Sequence, residues 1–522
     1  MSKDFCLLDE PWLPVRLADG RVVELGLLEA FRRSGEITAL AETTPTSLVA
    51  EYRLLLAIVH RAMARAFERD SKGRDLAWEN SDRALWYREG LPVGKICAYL
   101  EYWRERFWLF HPQYPFMQVA ALATCDETQQ TFPLSAISIE QCFGTSIFNQ
   151  EVFQTCAWKP AAIIRSMLGY MQYVPGGFFP GKKLKGSDRA GALVNTAAVL
   201  PVGKTLAQTL CLCLHPAPTG NREPDLPAWE REPLTIQELR GDSVLATGPN
   251  DRYTRQSRAV LLLREGNGAI RWLRFAAGWA LGEDANAPDP MASFRVDSKG
   301  MVRLGFTEGR AFWRDLPAMV PNPSGTGQHA AVLDHAINLH QESSFDEIYQ
   351  PLLVAGLASY QAKLLRWRIE QITLPSALLV DSEKALHLQE LMALAEELFK
   401  ALKSVAVSML AEIMPEPSRK DTRNRARGLL GKSAFEASYF SFAERALPEL
   451  LLLLGQGENE RAETLWRVTL RKAAHFTWKQ IQKDMGYSAR ALRADAKFLP
   501  RFYGALNKHI PESPESMISK EA

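Results

Sequence analysis

Three residues near the middle of the chain have a spacing that could bind a metal: Cys211, Cys213 and His215 alternate with leucines. If this run is a β-strand, as its alternation indicates, all three side chains point to one face. A structural zinc site normally has four ligands, and no second group of cysteines and histidines lies nearby in the sequence. We therefore interpret the cysteines as core thiols with a histidine at the edge, and we predict no metal and no cofactor.

The other polar residues form no catalytic set that is visible in the sequence. The nine histidines include no HExxH pair, and the chain lacks GxSxG, Walker and dinucleotide-binding glycine patterns. Asp315, Asp334 and Asp381 are isolated from one another, and each could serve on the surface or as a helix cap. We predict that the protein is not an enzyme; a metal-dependent nuclease with dispersed carboxylates is the alternative.

Residues 174–186, which we call the glycine segment, have a composition suited to close contact with a nucleic acid. Their sequence, VPGGFFPGKKLKG, contains four glycines, two prolines and three lysines. Glycine allows a bulky partner to approach the backbone, and lysine supplies positive charge for phosphate groups. An exposed connector with solvated lysines is the alternative interpretation.

The composition of the chain limits the classes of protein to which it can belong. With 522 residues, 47% of them apolar, it is expected to form two or more domains. The net charge is only +2, so any surface that binds nucleic acid must be a local patch. Seven scattered cysteines without a CxxC pair are typical of a reducing cytosol. Because no signal-peptide pattern and no membrane-length apolar run is present, we expect a soluble, cytoplasmic protein.

Residues 1–375 are predicted to form a mixed α+β domain. Alternating patterns separated by turn residues predict strands and hairpins at residues 12–25, 259–275, 291–303 and 352–374. Apolar residues at helical spacing predict helices at residues 46–67, 96–110 and 161–171. Arg252, Arg255 and Arg258 form a basic cluster directly before the second hairpin.

Residues 376–522 are predicted to form a C-terminal helical bundle. Amphipathic stretches predict helices at residues 384–414, 428–442, 442–454, 460–481 and 489–506. Asp381 is predicted to cap the first of these helices. Between the first two lies a basic loop, residues 419–427, with five basic residues and one acidic residue. This loop is either a solvated connector or a patch that faces phosphate.

Several short runs, taken in order, resemble landmarks of the CasA family, the large subunit of the type I-E CRISPR surveillance complex called Cascade. The landmarks are residues 7–16, 107–112 and 115–118, the glycine segment, Asp289-Pro290 and residues 310–315. Together they cover essentially the whole chain. The resemblance implies an α+β fold in which a large mixed N-terminal domain is followed by a C-terminal four-helix bundle.

In that family, the large subunit reads the protospacer-adjacent motif (PAM), a short sequence beside the target, mostly from the minor groove of double-stranded DNA. The resemblance assigns this contact to the glycine segment, at Gly176 and Gly177, with Lys182 and Lys183 beside them. Close backbone approach and positive charge both suit the negative potential of that groove.

The resemblance also assigns a basic residue and a wedge that helps to open the duplex. The basic residue is Arg271, with Arg274 as second choice. If removal of Arg271 changed neither affinity nor salt dependence, the role would pass to Arg274 or to the cluster of Arg252, Arg255 and Arg258. The wedge is Gln361 on a β-hairpin, with Tyr360 where some relatives carry asparagine. A tight hairpin tip is expected between Gly356 and Lys363, and insertion of one side chain could offset the cost of unstacking a base pair.

The remaining expectations concern partners. A loop that docks on the guide RNA corresponds to Ile147 and Phe148, and the basic loop at Arg423, Arg425 and Arg427 is expected to hold an opened DNA strand. The resemblance implies double-stranded target DNA, a guide RNA, other Cascade subunits and the Cas helicase-nuclease as partners, in antiviral defence and without a membrane. A purely structural scaffold subunit is a further alternative.

Overall fold

Among the residues that the computed structural model describes, all strands precede residue 376 and only helices follow it. The described residues are 3–69, 75–76, 80–139, 155–177, 184, 189–214, 224–284, 287–297, 300–307, 309–323, 325, 327–341, 347–360 and 363–511. The strands are β1 (Asp4–Cys6), β2 (Leu13–Leu17), β3 (Val22–Leu25), β4 (Ile37–Leu40), β5 (Arg65–Arg69), β6 (Asp75–Leu76), β7 (Trp108–Phe110), β8 (Thr131–Pro133), β9 (Ala197–Pro201), β10 (Arg258–Arg264), β11 (Ile270–Ala277), β12 (Phe294–Asp297), β13 (Gly300–Arg303), β14 (Gly327–Gln328), β15 (Tyr349–Tyr360) and β16 (Lys363–Pro375).

The helices vary widely in length. They are α1 (Leu27–Arg32), α2 (Pro45–Met63), α3 (Asn80–Glu89), α4 (Val93–Tyr102), α5 (Pro160–Tyr173), α6 (Leu206–Cys213), α7 (Ile236–Arg240), α8 (Pro249–Tyr253), α9 (Ala331–His340), α10 (Ala377–Val380), α11 (Ser382–Glu412), α12 (Lys420–Lys432), α13 (Phe435–Glu444), α14 (Leu447–Gln456), α15 (Asn459–Met485) and α16 (Ala489–His509). No helix in this described part is long and apolar enough to cross a membrane.

The chain folds into two compact units, and the α+β fold class is confirmed. The N-terminal unit consists of Met1–Phe306, Gln328–Asp346 and Gln350–Thr373. The helical unit consists of Thr307–Gly327, Glu347–Tyr349 and Leu374–Ala522. Residues 307–327 therefore pack with the helical unit although they precede residue 375 in the sequence.

The first predicted hairpin is confirmed. β2 pairs antiparallel with β3, with Leu13 opposite Leu25 and Arg16 opposite Val22. The turn between them contains Gly20, whose φ of +84° is a conformation that other residues rarely adopt. β4 pairs with the other edge of β2 and completes a three-stranded sheet.

Helix α2 is the buried centre of the N-terminal unit. It packs against α5 so closely that a Cβ on Gly169 would lie 2.9 Å from the backbone nitrogen of Ser47. The helix ends at Met63, so the prediction of a helix to residue 67 was wrong at its end. β5 begins at Arg65 and pairs with β6, and this pairing overrides the helical pattern.

Glu51 on α2 is fully buried, and neither of its carboxylate oxygens has a hydrogen-bond partner among the residues that the structure describes. Burial, and secondarily the negative charge of Glu42, raise the pKa of Glu51 well above its ordinary value, while Arg165 opposes this shift. An ionised carboxylate is costly in such a place because nothing replaces the water it has lost. Glu51 is therefore a source of instability at any pH at which it ionises.

Replacing Glu51 with glutamine is expected to stabilise the protein above the ordinary pKa of glutamate and to change little below it. A raised folded-state pKa means that stability falls as pH rises from the ordinary value towards the folded value, by about 1.4 kcal/mol per pH unit. Glu51→Gln removes this contribution to the pH dependence of the unfolding free energy. Unfolding free energies measured from pH 4 to pH 8 check it, with Glu10→Gln as an exposed control; parallel profiles for wild type and Glu51→Gln would contradict the prediction.

The helix predicted at residues 96–110 was wrong in its second half. α4 ends at Tyr102 and is followed by a 3-10 turn at Arg104–Arg106. Residues Trp108–Phe110 form β7, which pairs antiparallel with β1 near the start of the chain. A partner about one hundred residues away in sequence decided the conformation of this aromatic run, and propensity alone gives no sign of it.

The strand predicted around Cys211 and Cys213 was also wrong. β9 ends at Pro201, and Thr205 then caps α6 by accepting a hydrogen bond from the backbone N–H of Gln208 at 3.2 Å. On a helix, residues two apart point to nearly opposite sides, so the two thiols do not face a common ligand. Both cysteines are buried, and burial raises the pKa of Cys211 to about 12. They are unreactive thiols of the core.

In the helical unit, α11 begins as predicted at Asp381, whose carboxylate accepts hydrogen bonds from the backbone N–H groups of Glu383 and Lys384. The fully buried Trp466 of α15 donates from Nε1 to the carbonyl oxygen of Leu391 at 2.8 Å. This bond ties α15 to α11, the longest helix of the described chain.

Candidate nucleic-acid interface

The glycine segment begins where α5 ends, and its base is closed by backbone hydrogen bonds. The N–H of Gly191 donates to the carbonyl oxygen of Val174 at 2.8 Å, and Leu193 donates to Gln172 at 2.8 Å. A Cβ on Gly191 would lie 2.5 Å from the Gln172 oxygen, so only glycine fits there. The chain therefore leaves the core and returns to it at nearly the same point.

At the start of the segment, the backbone is open to a partner. Gly176 and Gly177 are both exposed. Gly177 has a φ of +124°, and a Cβ placed on it would meet no atom of the described residues within 4 Å. Space and conformation here fit the predicted contact with a large ligand, although Lys182 and Lys183 lie outside the described residues and their role stays a prediction.

One residue within the segment is anchored in the core. Leu184 is only 8% exposed and belongs to a hydrophobic cluster with Leu122, Leu261 and Ala276. Leu261 and Ala276 lie on β10 and β11, so Leu184 packs against this hairpin. In sequence, Leu184 stands between Lys183 and Lys185.

The hairpin of β10 and β11, predicted from the sequence, carries the two candidate basic residues. Arg271 is about one-third exposed and pairs with Glu265 of the same hairpin at 2.5 Å. Arg274 donates from Nη1 to the carbonyl oxygens of Leu122 and Ala123. Arg271 could exchange one carboxylate for a phosphate, whereas Arg274 also secures a nearby 3-10 turn. Their roles stay predictions.

The basic cluster of Arg252, Arg255 and Arg258 is not a surface at all, so its use as a third choice for DNA contact was wrong. The three residues are between 1% and 7% exposed. Arg255 bonds to Asp251 at 2.6 Å and lies 3.7 Å from the ring centre of Trp279. Burial lowers the pKa of Arg255 to about 10, against the opposing effect of Asp251. The charge of each arginine is directed into the protein.

The hairpin expected to carry the wedge is formed by β15 and β16, which are neighbours in one sheet with β9. Gln361 connects these strands and lies outside the described residues, and the side chain of Tyr360 is likewise outside them. Gly356 was expected to lie beside the tight tip of this hairpin. It lies instead within β15, opposite Ala197. A Cβ on Gly356 would lie 2.1 Å from the carbonyl oxygen of Thr196, which explains the glycine.

Residues 419–427 do not form a loop: from Lys420 onward they belong to α12. Thr422, Ala426 and Leu430 are buried at helical spacing, so the opposite faces are exposed. Arg423, Arg425 and Arg427 are all exposed, and Arg427 bonds to Asn424. A helix fixes the spacing of these charges more firmly than a loop would. Ile147 and Phe148, expected at the guide RNA, lie outside the described residues.

The carboxylates considered for a nuclease have other partners and do not form one site. Asp315 forms an ion pair with Arg310 at 2.8 Å, and Asp334 bonds to His329 at 2.6 Å. Asp381 caps α11. Within the part of the chain that the structure describes, no group of three or more His, Cys, Asp or Glu residues is arranged to hold a metal ion.

The runs that carry the family resemblance turn out to be structural. Trp12 is buried and donates to the carbonyl oxygen of Leu7. Gln118 joins β7 to β10 by donating to Leu109 and accepting from the N–H of Leu262.

Two charged landmarks are also structural. Asp289 is paired with Arg53 inside the N-terminal unit. Arg314 contacts Glu396 and Glu436 and lies 3.3 Å from the ring centre of Phe440 in the helical unit. These pairings join residues far apart in sequence, and sequence reasoning missed them.

Comparison with known proteins gives a consistent assignment. A sequence profile of the family described as CRISPR-associated protein Cse1 matches residues 7–476. The CRISPR-associated protein CasA/Cse1 of Thermus thermophilus is 34% identical over 507 residues, which cover 94% of this chain and 95% of that protein. The solved structure of Thermus thermophilus CasA (Cse1) is similar with a TM-score of 0.82 at 32% identity, covering 97% of this chain and 100% of the other.

A chain of a solved CRISPR RNA-guided surveillance complex shares the fold, with a TM-score of 0.73 at 19% identity over 96% of this chain and 100% of the other. The match of the profile and the identity to the Thermus relative extend over nearly the whole chain. This chain belongs to the CasA/Cse1 family of CRISPR-associated proteins.

Proposed function

We propose that this chain is the large subunit of a type I-E RNA-guided surveillance complex, in which it reads a short motif in double-stranded DNA and helps to open the duplex beside it. The observation that carries the proposal is the anchored glycine segment, exposed at Gly176 and Gly177, in a chain of the CasA/Cse1 family. The partners are a guide RNA, the other subunits of the complex and target DNA. The subunit also serves as the platform that recruits a helicase-nuclease in antiviral defence.

The glycine segment suits the minor groove because the backbone at its start is accessible. The minor groove is narrow, and a backbone without side chains can enter it where a backbone with side chains cannot. The open space around Gly177 and the anchoring of Leu184 provide a firm base with an unobstructed surface. Lys182, Lys183 and Arg271 supply positive charge for the phosphates on either side.

Opening of the duplex is assigned to the hairpin of β15 and β16. Tyr360 ends the first strand, and Gln361 follows it in the connection. A glutamine inserted between separated bases offers both a donor and acceptors to their edges. Unstacking of one step costs about a few kcal/mol, which one inserted side chain and neighbouring phosphate contacts can offset. Guide pairing then reads the remaining sequence.

The helical unit is assigned to the opened DNA. Arg423, Arg425 and Arg427 are exposed on α12. Arg423 and Arg427 lie about one helical turn apart and share a face, and exposed cations at this fixed spacing suit the phosphates of a single strand. The subunit carries out no chemistry in this proposal; cleavage belongs to the recruited enzyme.

The proposal is tested with complexes reconstituted with and without this subunit. The complex that contains the subunit is expected to bind a duplex with the motif at least about tenfold more tightly than a duplex with a scrambled motif. The complex without the subunit is expected to lack this preference. A target melted in advance beside the motif is expected to bind well even without the subunit, because the unstacking cost has been removed. Equal binding of motif and scrambled duplexes would leave the scaffold alternative, and cleavage of DNA by the isolated subunit with Mg²⁺ or Mn²⁺ would leave the nuclease alternative.

A further inference from the structure

Arg258, the first residue of β10, joins the start of the glycine segment to Arg189, which lies three residues beyond its end. Its Nη2 donates to the carbonyl oxygen of Pro175 at 2.7 Å, and its Nη1 donates to that of Arg189 at 2.8 Å. A further bond from Nη1 reaches the carbonyl oxygen of Ser257 at 2.7 Å. Pro175 precedes the exposed glycines, and Arg189 follows the last lysine of the segment. A single guanidinium group therefore fixes where the segment leaves the core and where it returns.

The position of this guanidinium is itself fixed by the sheet. Arg258 is 3% exposed and pairs with Ala277 of β11. The next residue, Gly278, approaches so closely that a Cβ on it would lie 2.4 Å from the backbone nitrogen of Arg258. The backbone of Arg258 is thus held in place, and burial together with the three hydrogen bonds holds its guanidinium. Arginine suits this role since its planar fork holds several donors rigidly, whereas lysine is a flexible point charge.

The same hairpin supports the segment a second time. Leu184 packs in the hydrophobic cluster with Ala259, the neighbour of Arg258, and with Ala276. β11 also carries Arg271, the candidate basic residue. Leu184 packs on the hairpin that carries Arg271, and Arg258 of the same hairpin also binds Pro175 and Arg189.

We propose that Arg258 is a positioning residue for motif recognition, which holds the exposed start of the glycine segment, Gly176 and Gly177, in place for the DNA groove without itself touching DNA. The inference rests on the proposed function. Ordering a free loop costs conformational entropy for each residue that is fixed, so residues held in place before binding allow tighter binding than loose ones. The contribution appears only for a ligand that uses the segment, which distinguishes positioning from general stabilisation.

The test compares Arg258→Lys with Arg255→Lys in the complete complex. Arg255 is an equally buried arginine of the same region, and its bonds go to Asp251 and to the carbonyl oxygen of Leu245, not to the segment. Arg258→Lys is expected to weaken binding of the motif duplex by about tenfold or more and to leave binding of the scrambled duplex within about twofold. It should also speed amide hydrogen exchange at Gly191 and Leu193, whose N–H groups close the base of the segment. Arg255→Lys is expected to change neither the ratio of the two affinities nor this exchange rate.

Two results overturn the inference. One is normal discrimination between the duplexes by Arg258→Lys, and the other is an equal loss of discrimination in both variants, which would mean a structural role only. Arg258→Gln, which keeps two donors on one planar group, serves if the lysine variant does not assemble. If the wild-type complex itself bound the motif duplex and the scrambled duplex equally, the proposed function would be wrong. The two failures can therefore be distinguished.

Discussion

Replacement of Asp289 by asparagine is expected to destabilise the N-terminal unit by about 3–5 kcal/mol. Both carboxylate oxygens of Asp289 accept hydrogen bonds from Arg53, at 3.1 and 2.9 Å, and both side chains are completely buried. Oδ1 also accepts the N–H of Met291 at 3.0 Å. Asparagine keeps the shape but leaves the buried guanidinium, which lies 4.4 Å from the ring centre of Tyr253, without its counter-charge.

The pH dependence follows from the same contacts. Burial alone would raise the pKa of Asp289, but the charges of Arg53 and Arg252 hold it below its ordinary value. A lowered pKa gives stability that is present above the ordinary pKa and is lost as pH falls through the folded value. The decrease in unfolding free energy caused by Asp289→Asn should therefore have its full size at neutral pH. The variant should also lose less stability than the wild type when the pH falls.

Denaturant unfolding at pH 7 and in mild acid measures these effects. Glu36→Gln, which removes an exposed ion pair with Arg33, is the matched control and should cost no more than about 1 kcal/mol. The double variant Arg53→Met with Asp289→Leu should recover much of the loss because it removes both buried charges. A loss below about 1 kcal/mol in Asp289→Asn would show that the pair is not needed for folding.

Replacement of Gly356 by alanine is expected to separate β15 from β9 and to cost more than about 3 kcal/mol. The new methyl group would lie 2.1 Å from the carbonyl oxygen of Thr196 and 3.2 Å from its carbon. These are backbone atoms, so no side chain can rotate away. The pairing of Gly356 with Ala197 ends the run of matched residues from Leu352 onward. Since β15 leads directly to Gln361, the same variant should impair opening of a paired target.

Thermal unfolding of the purified subunit and amide exchange along β9 measure the structural effect. Gly428→Ala is the control because a Cβ on this exposed residue of α12 meets nothing within 4 Å. That change should be neutral or stabilise the helix by about 0.5–1 kcal/mol. Unaltered exchange of β9 in Gly356→Ala would mean that the sheet can shift to admit a methyl group.

Local patterns were sufficient where neighbours in sequence are also neighbours in the fold. The hairpin at Gly20, the pair β10 and β11, the capped start of α11 at Asp381 and the α+β class were all predicted and are confirmed. Each depends on periodicity, turn residues or a cap within a few positions. The order of family landmarks was also visible in the sequence, and it led to the CasA/Cse1 family.

Only the tertiary structure decided the conformations and roles that depend on distant partners. Residues 108–110 became a strand because β1 pairs with them, and residues 206–213 became a helix although their alternation indicated a strand. Arg252, Arg255 and Arg258 are basic in sequence yet buried in the fold, and Arg258 gains its role from two carbonyl groups, at Pro175 and Arg189. Whether an arginine meets solvent or a backbone carbonyl is set by packing between remote segments, and no spacing along the chain encodes it.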